Sequence, residues 1–347
     1  MSLGEPSFNL PKEVLANISN KIKNTKMSYT ESIGFFKLRE LVSLHYKTQY
    51  KLALPASNIA ITAGASASIL LVLMTLFNEG DYVAITLPGY PCYRNIIKAL
   101  SLKPYIIKTK IKDNFQLDSN DIANMPSYVK GIIIESPANP TGVVINNDDL
   151  YKIVEICKKK KIKLIADEIY HGISYDLQKP NSVLKYNKNC VVINSFSKYF
   201  LMTGWRLGWI IADDKIIENI SKIAMNLYLS PSSVSQYTAL NVFSHYNYFN
   251  KVVKEYQKNR DFLATNLRSI GLKKFFLPQG AFYIFLNISE ISDDSYKFCQ
   301  DMVEDIKVTA APGIDFDTKR GKKYIRISFA GNRKQLNNAI NRLKKWI

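Results

Sequence analysis

The sequence is poor in the residue types that most often bind metal ions, and it has no apolar run long enough to cross a membrane. Its 347 residues include four cysteines and three histidines. The cysteines are widely spaced, which excludes the common Cys-x-x-Cys motifs and favours free thiols; they are Cys92, Cys157, Cys190 and Cys299. The histidines are equally scattered, so we expect no metal site. The apolar run at 67–77 is shorter than the roughly 20 residues of a spanning helix.

Acidic residues are also scarce, with 29 of them against 47 lysines and arginines and a formal net charge of +18. Such a charge is typical of proteins that bind nucleic acids. However, the basic residues are scattered over amphipathic segments, without zinc-finger spacing, a basic zipper or an RNA-binding aromatic motif. The run Lys158–Lys163 follows a helical pattern, where lysines favour a helix C-terminus. We therefore expect solvated basic faces, no nucleic-acid or membrane partner and, since no secretory signal is recognisable, a cytoplasmic location.

Short apolar runs rich in β-branched residues alternate with helical patterns over most of the chain. The predicted strands are 58–64, 81–88, 103–110, 131–137, 162–168, 190–196 and 207–212. Helical patterns occupy 66–77, 147–160 and 214–227. Strands that are apolar on both faces and alternate with helices predict an α/β fold, with a mostly parallel seven-stranded sheet flanked by helices.

The pattern changes after a long helical stretch at 247–270. A strand at 281–288, a helix at 294–306 and strands at 307–313 and 323–330 predict a smaller α+β domain. We assign 27–255 to a large domain, and 1–26 together with 256–347 to the small one.

Unusual residues cluster where the predicted parallel strands end. In open parallel sheets, ligands bind at the carboxyl ends of the strands, where loops enter helices. Five such ends have polar or small-residue segments: TAGASAS at 62–68, PGYP at 88–91, SPANPTG at 136–142, ADEIY at 166–170 and SFSK at 195–198. Their convergence predicts one site at this edge of the sheet.

The first of these segments is a small-residue turn that opens a helix. The backbone N–H groups of Ala65, Ser66 and Ala67, with the Ser66 hydroxyl, can hold a phosphate at the positive end of the helix dipole. A tight turn with a serine cap is an equally good interpretation. The chain has no Gly-x-Gly-x-x-Gly and no Walker lysine, so a nucleotide is not the expected ligand.

Charged residues in apolar company mark two other strand ends. Asp167 directly follows the apolar KLIA and needs either a cationic partner or a capping role; we expect its neighbour Glu168 to be exposed or to cap. Lys198 lies among aromatic and apolar residues near Arg206. A lysine beside another cation in apolar surroundings has a lowered pKa and becomes a usable nucleophile, whereas the alternative is a side chain that reaches solvent.

One ligand, pyridoxal 5′-phosphate, satisfies all of these groups. Its phosphate suits the small-residue turn, the serines and Arg206, because a guanidinium forks well onto phosphate oxygens. Its aldehyde forms a Schiff base with Lys198, and its ring nitrogen pairs with Asp167.

The chain also closely resembles the fold-type I pyridoxal-phosphate aminotransferases of class I/II, the aspartate-aminotransferase-like group. The resemblance covers nearly the whole length and rests on several motifs in order: GEPSF at 4–8, Tyr29 with LRE at 38–40, SPANPTG, DEIY, SFSKYFLMTGWRLGW at 195–209, GAFY at 280–283 and IRISFA at 325–330. It implies a transaminase that moves the amino group of an L-amino acid to a 2-oxo acid by a ping-pong aldimine and ketimine mechanism.

The resemblance implies a role for each matching residue. Lys198, Asp167 and Tyr170 would be catalytic. The cofactor would be bound by Ala65, Ser66, Tyr90, Asn139, Asp167, Tyr170, Ser195, Lys198 and Arg206, with Tyr29 reaching the phosphate of the neighbouring subunit in a homodimer. The nearby Tyr93 is an alternative to Tyr90 for stacking on the ring. The substrate would be bound by Gly4, Asn139 and Arg326, the last as a clamp on the α-carboxylate.

Two departures from the family pattern limit what the resemblance implies. The chain begins almost at GEP, where relatives usually have a further helix, and Ala67 stands where many relatives have a longer polar side chain. In addition, no residue is assignable as the partner of a side-chain carboxylate, so specificity for aspartate is open. Two alternatives also remain: a carbon–sulfur β-lyase on the same scaffold, and a ligand-sensing regulator with an aminotransferase-like domain, which only the basic charge favours.

Overall fold

The computed structural model describes residues 1–2, 4–176 and 179–347. Within those residues, no helix has the length and apolar character needed to cross a bilayer. Two sheets organise this part of the chain, one of seven strands and one of three.

The large sheet contains the seven predicted strands. They are β1 (Ile59–Thr62), β2 (Tyr82–Leu87), β3 (Lys103–Lys108), β4 (Val129–Glu135), β5 (Lys163–Asp167), β6 (Val191–Ser195) and β7 (Gly208–Ile211). Their order across the sheet is β1-β7-β6-β5-β4-β2-β3. Strand β7 is antiparallel to both of its neighbours, and the remaining pairs are parallel. The α/β fold with a mostly parallel sheet is therefore confirmed.

Helices cover both faces of this sheet. Those of the described chain are α1 (Lys12–Asn24), α2 (Phe36–Tyr50), α3 (Ala65–Leu76), α4 (Pro91–Ala99), α5 (Ser119–Ala123), α6 (Asn147–Lys159), α7 (Asp214–Tyr228), α8 (Ser233–Ala239), α9 (Tyr246–Ser269), α10 (Ser295–Ile306) and α11 (Arg333–Trp346). Successive strand residues point to opposite faces: Ile133 packs in the core with α3, α4 and α7, and Ile132 in the core with α2, α6 and α9.

Local sequence explains where helix α6 begins and ends. The side chain of Asn146 accepts a hydrogen bond from the N–H of Asp149, which caps the first turn. Two lysines occupy the last turn, where their charge complements the helix dipole. The lysine run thus lies at a helix C-terminus, as its position in the sequence predicts.

The second sheet consists of β8 (Tyr283–Asn287), β9 (Ala311–Pro312) and β10 (Tyr324–Ser328), in the order β8-β10-β9. The predicted strand at 307–313 is reduced to two residues. Lys307 still caps α10 in a left-handed conformation, and Pro312, the last strand residue, lacks the N–H that a longer ladder needs. The first residues of the chain join this sheet through hydrogen bonds from Ser328 N–H to the Met1 carbonyl and from Ser7 N–H to the Ala330 carbonyl.

Several helices have no counterpart in the sequence interpretation. Helix α4 begins at Pro91, a residue that favours the first helical turn but reads as a turn signal inside PGYP. Helices α1, α2 and α11 lie outside the alternation of strand and helix patterns in the sequence. Helix α1 buries Val14 and Ile18, and the amide of its Asn17 bonds to Asn241 just after α8.

Truncation of Ile132 at the centre of the large sheet should destabilise the fold. The side chain is 0% exposed, so Ile132→Ala leaves a cavity and lowers the free energy of unfolding by about 2–5 kcal/mol. Ile111→Ala is the matched control, since Ile111 is 49% exposed and its loss should change stability by about 0.5 kcal/mol or less. Urea unfolding followed by circular dichroism measures both; equal midpoints for the two variants would contradict the buried position.

Candidate active site

A cavity of about 260 Å³ lies at the carboxyl ends of the parallel strands. It brings together eleven of the residues singled out in the sequence: Gly4, Ala65, Ser66, Tyr90, Asn139, Asp167, Tyr170, Ser195, Lys198, Arg206 and Arg326. Tyr29 does not line it, and is 81% exposed on the surface. The five strand ends therefore converge as expected.

One end of the cavity is an anion-binding turn at the start of α3. Gly64 precedes the helix with φ +89°, and a Cβ there would lie 2.7 Å from Nη2 of Arg206. Glycine therefore allows the guanidinium to approach the turn closely. The helix has no side-chain cap, so the N–H groups of its first turn are open to a ligand.

Two side chains near this turn have surroundings that the sequence does not predict. Arg206 is exposed in spite of its apolar sequence neighbours, and its Nη1 donates to the Thr203 carbonyl at 3.0 Å. The hydroxyl oxygen of Ser195 is buried, 2.9 Å from both the Leu207 carbonyl oxygen and Ser197 Oγ. Both groups still face the cavity.

Asp167 is the buried carboxylate of the cavity, at the end of β5. Its two oxygens accept hydrogen bonds from the Tyr93 hydroxyl at 2.7 Å and from the Ile169 N–H at 3.0 Å. Burial raises the pKa of Asp167 to about 6, although these two hydrogen bonds and the charge of Lys198 favour the ionised form. A cationic group in the cavity would stabilise the ionised carboxylate.

The neighbouring Glu168 points to the opposite face of the sheet. It is 2% exposed, so the expectation of an exposed residue is wrong. Its carboxylate accepts the Val183 N–H at 3.0 Å and lies 3.4 Å from Nδ1 of His171. Burial raises the pKa of Glu168 to about 8. Successive side chains at a strand end point to opposite faces, which explains why Asp167 faces the cavity while Glu168 does not.

Lys198 follows β6 and points into the cavity. Its Nζ donates to the Gly4 carbonyl at 2.7 Å. Burial, followed by the charges of Arg326 and Arg206, lowers the pKa of Lys198 to about 8. This amine is therefore partly neutral near physiological pH, which is the form that attacks a carbonyl group.

Arg326 extends from β10 and is 8% exposed. Its Nη1 donates to Oδ1 of Asn139 at 2.8 Å, and its Nη2 donates to the Ser2 carbonyl at 2.6 Å. The guanidinium carbon lies 4.2 Å from the centre of the Tyr283 ring. Its Nε is buried and has no hydrogen-bond partner among the residues that the structure describes, which leaves a donor for a ligand carboxylate.

Tyrosines close the side of the cavity between the two sheets. The hydroxyls of Tyr170 and Tyr283 are 2.8 Å apart. A Cβ added at Gly4 would lie 1.9 Å from the Tyr283 hydroxyl, so only glycine allows the N-terminal segment to pass here. Through this contact the backbone carbonyl of Gly4 reaches Lys198.

Glu135 and Tyr283 line the cavity although they were not singled out as site residues from the sequence, and Tyr93, which was only the alternative to Tyr90, bonds to Asp167. Tyr93 lies three positions after Tyr90, one helical turn on, and this spacing is a signal that both face the same site. Glu135 ends β4 in register with Asp167, and a charged residue after GIII is itself a signal. The described residues contain no cluster of three or more His, Cys, Asp or Glu side chains able to hold a metal ion.

The cavity fits a phosphorylated pyridine aldehyde. The open turn before α3 suits a phosphate, and the buried Asp167 suits a cationic ring nitrogen. The Lys198 amine has the lowered pKa that an aldehyde partner requires. The unpartnered Nε of Arg326 suits a carboxylate.

Comparisons with known proteins agree with this fit. The family model for aminotransferase class I and II matches residues 1–343. A valine–pyruvate aminotransferase of Mycobacterium tuberculosis is 34% identical over 350 residues, covering 100% of this chain and 90% of that protein. An aspartate aminotransferase of Sulfolobus acidocaldarius is 30% identical, covering 99% and 88%. The crystal structure of an aminotransferase from M. tuberculosis superposes with a TM-score of 0.96 at 34% identity, covering 99% of this chain and 90% of that one.

Lys198 should react with amine-selective reagents at lower pH than ordinary lysines. In cofactor-free protein, its labelling rate should rise with a midpoint near pH 8, the value to which burial and two arginines lower its pKa, whereas an ordinary lysine has a pKa of about 10.4. Arg326→Met should move the midpoint upward, because Arg326 is the larger of the two charge effects. Mass spectrometry of labelled peptides gives the profile, and a midpoint near 10 in the native protein would contradict the buried environment.

Proposed function

The chain belongs to the class I and II aminotransferases and is a transaminase that uses pyridoxal 5′-phosphate, and on that premise we propose how its own residues perform the reaction. The single observation that supports the proposal is the pairing of Lys198 and Asp167 across one cavity, an amine with a lowered pKa opposite a buried carboxylate with a raised one. The homologues include valine–pyruvate and aspartate aminotransferases.

Residues of this chain would hold the cofactor at both ends. The N–H groups of Ala65 and Ser66, with Arg206 and Ser195, would bind the phosphate, and Asp167 would pair with the ring nitrogen. Asn139 and Tyr170 would donate hydrogen bonds to the ring oxygen, and Tyr90 would pack against the ring. When bound, the cofactor supplies an aldehyde for the amino group and a ring that accepts the electron pair released at the α-carbon.

Lys198 first holds the cofactor and then acts as the base and acid of the reaction. Its pKa of about 8 lies near the working pH, which is where a group both accepts and returns protons efficiently. With the cofactor bound, Nζ would take up the proton of the substrate α-carbon and would give it back later in the reaction. The Gly4 carbonyl, 2.7 Å from Nζ, orients the amine before substrate enters.

Arg326 holds the substrate α-carboxylate. Its guanidinium is fixed by Asn139 and by the face of Tyr283, so a carboxylate that binds it is oriented relative to the cofactor. A lysine could not substitute, because a forked contact needs the planar guanidinium. Gly4 contributes its backbone to this side of the pocket.

We propose that the amino acid substrate has an uncharged side chain. Among the described residues that line the cavity, the cations are Lys198, Arg206 and Arg326, and each already has a task at the amine, the phosphate or the α-carboxylate. A second substrate carboxylate would therefore be buried without a cation of this chain.

A homodimer with shared sites is the proposed assembly. Tyr29 is 81% exposed, and the backbone of Thr30 bonds to the Ser230 hydroxyl at 3.3 Å, next to the exposed Leu227 and Leu229. An exposed apolar patch beside a tyrosine is typical of a protein interface. Tyr29 would then reach the phosphate of the neighbouring subunit.

The proposed location is the cytoplasm. The four cysteines are free thiols, which suits a reducing compartment.

The excess of basic residues would attract anionic 2-oxo acids to the enzyme.

Replacement of Lys198 should abolish transamination. Lys198→Ala removes both the covalent anchor and the proton carrier, so we expect loss of the visible absorption band of the loaded protein and a fall in kcat of roughly 10²–10⁴-fold or more. Lys188→Ala, at an exposed lysine, is the matched control and should behave as the native enzyme. Retention of band and turnover in Lys198→Ala would overturn the assignment.

The side-chain preference is tested by single-turnover conversion of the loaded enzyme to its amino form. Valine and alanine should convert it faster than aspartate, because aspartate would bury an unpaired carboxylate. Pyruvate and ammonia released from cystathionine without a 2-oxo acid serve as the control for a lyase. Preference for aspartate would contradict an uncharged pocket.

Loss of the Tyr29 hydroxyl should weaken cofactor binding without separating the subunits. Tyr29→Phe removes one hydrogen bond to a charged phosphate, for which we expect a roughly tenfold rise in the dissociation constant of pyridoxal 5′-phosphate. Tyr128→Phe, at a tyrosine that is 50% exposed, is the control. Sedimentation should report a dimer for all forms; a monomeric native protein with tight cofactor binding would contradict shared sites.

A further inference from the structure

The segment 313–321 comes shortly before β10, the strand that contributes Arg326, and none of the roles described above uses it. Phe316 of this segment is 4% exposed, and the centre of its ring lies 4.7 Å from the guanidinium carbon of Arg326. The ring of Tyr283 lies 4.2 Å from the same carbon. Cation–π contacts with two rings therefore hold the plane of this guanidinium, and that plane determines where a carboxylate can form a forked pair.

A buried ion pair fixes the shape of the segment 313–321. Asp317 is 3% exposed, and its Oδ1 accepts hydrogen bonds from the N–H groups of Lys319 and Arg320 at 3.1 and 3.0 Å. Its Oδ2 accepts a hydrogen bond from Nε of Arg320 at 2.7 Å. Because a buried carboxylate needs such donors, the pair defines the conformation of the backbone next to Phe316.

Arg320 also joins this segment to the large sheet. Its Nη1 donates to the Thr109 carbonyl at 2.7 Å, and its Nη2 donates to the Leu87 carbonyl at 2.5 Å. Leu87 ends β2 and Thr109 directly follows β3, so the guanidinium binds the ends of two neighbouring strands. A planar guanidinium can serve both carbonyls and Asp317 at the same time, whereas a lysine has a single nitrogen for the three.

Two further hydrogen bonds place the segment 313–321 against the part of the chain that contains Tyr90. The Gly89 N–H donates to the Phe316 carbonyl at 3.1 Å, and Nη2 of Arg94 donates to the Asp315 carbonyl at 3.3 Å. Gly89 immediately precedes Tyr90, which lines the cavity. The segment therefore connects the edge of the large sheet to the aromatic ring that packs on the arginine of β10.

We propose that Arg320 is a positioning residue for substrate binding, which joins the segment 313–321 to the ends of β2 and β3 and thereby holds Phe316 against Arg326. The direction in which that guanidinium meets a substrate carboxylate is then fixed by the large sheet. This inference rests on the proposed role of Arg326 as the clamp on the α-carboxylate. Arg320 is not among the described residues that line the cavity, so it acts through Phe316. Orientation matters because a misplacement of about 1 Å can lower a rate roughly 10²-fold.

Hydrogen exchange in cofactor-free protein tests the connection itself. Arg320→Met removes the three side-chain hydrogen bonds, so the Gly89 amide, which donates to Phe316, should exchange roughly tenfold faster than in native protein. Lys319→Met, at an exposed lysine of the same segment, is the matched control and should leave the rate unchanged. Mass spectrometry of peptides that contain Gly89 gives the rates. Equal rates in Arg320→Met and native protein would overturn the proposal.

Ligands with and without a carboxylate separate positioning from a general loss of structure. Two analogues of valine serve as probes of the loaded enzyme: 3-methylbutanoate, which lacks the amino group, and 2-methylpropylamine, which lacks the carboxylate. Calorimetric titration should show that Arg320→Met binds 3-methylbutanoate roughly tenfold more weakly than native enzyme and binds 2-methylpropylamine equally well. Equal weakening for both ligands would overturn the proposal.

Two further variants identify which property of each side chain matters for binding 3-methylbutanoate. Arg320→Lys keeps the charge but cannot bridge the three acceptors, so it should resemble Arg320→Met. Phe316→Leu keeps an apolar side chain and removes the ring, so it should also weaken the carboxylate ligand alone. Native binding by either variant would contradict the proposed route through the ring.

A double variant separates failure of this inference from failure of the proposed clamp. Arg326→Met should weaken binding of 3-methylbutanoate, and the addition of Arg320→Met should cause no further loss, because Arg320 acts through Arg326. Native binding by Arg326→Met would contradict the clamp itself. Weak binding by Arg326→Met beside native binding by Arg320→Met, or additive losses in the double variant, would overturn this inference alone.

Discussion

The active site depends on keeping the amine of Lys198 out of water and next to other cations. An ammonium group loses hydration when buried, so burial lowers its pKa, and two arginines lower it further. In the proposed function each arginine has another purpose, Arg206 at the phosphate and Arg326 at the substrate carboxylate. The same charges that would bind an anionic cofactor and an anionic substrate therefore also lower the pKa of Lys198. Asp167 is the complement, because its own buried charge is stabilised only when a cation enters the cavity.

The arrangement of the strands brings these groups together, with the help of two glycines. Parallel strands place their carboxyl ends at one edge, so residues distant in sequence, such as Asp167 and Lys198, meet without long loops. Gly64 allows Arg206 to approach the turn before α3, and Gly4 allows the N-terminal segment to pass Tyr283. The second sheet contributes Arg326 and Tyr283. Residues of both sheets thus line the site, and the hydrogen bonds between their side chains lie inside it.

Much of this organisation could be predicted from the sequence, because it depends on local pattern. Apolar β-branched runs specified the seven strands, and the polar segments at their ends specified the loops that line the cavity. The parts that could not be predicted depend on the directions in which side chains point in the folded chain. Which of Tyr90 and Tyr93 reaches Asp167 depends on the start of α4 at Pro91. The burial of Glu168 depends on the end of β5, which lies at Asp167 and one residue before the predicted end. The exposure of Arg206 similarly reflects the turn in which it lies and not the apolar character of its neighbours.

The hydrogen bonds that Arg326 makes in the absence of substrate have a consequence for how the enzyme responds to metabolite supply. In the proposed complex, a carboxylate would add a bond at the free Nε, whereas at Nη1 and Nη2 it would compete with Asn139 and the Ser2 carbonyl and gain only the difference. The contribution of the proposed clamp would therefore be orientation more than ground-state affinity. A site of this kind would need a higher amino acid concentration to fill than one whose guanidinium started without partners.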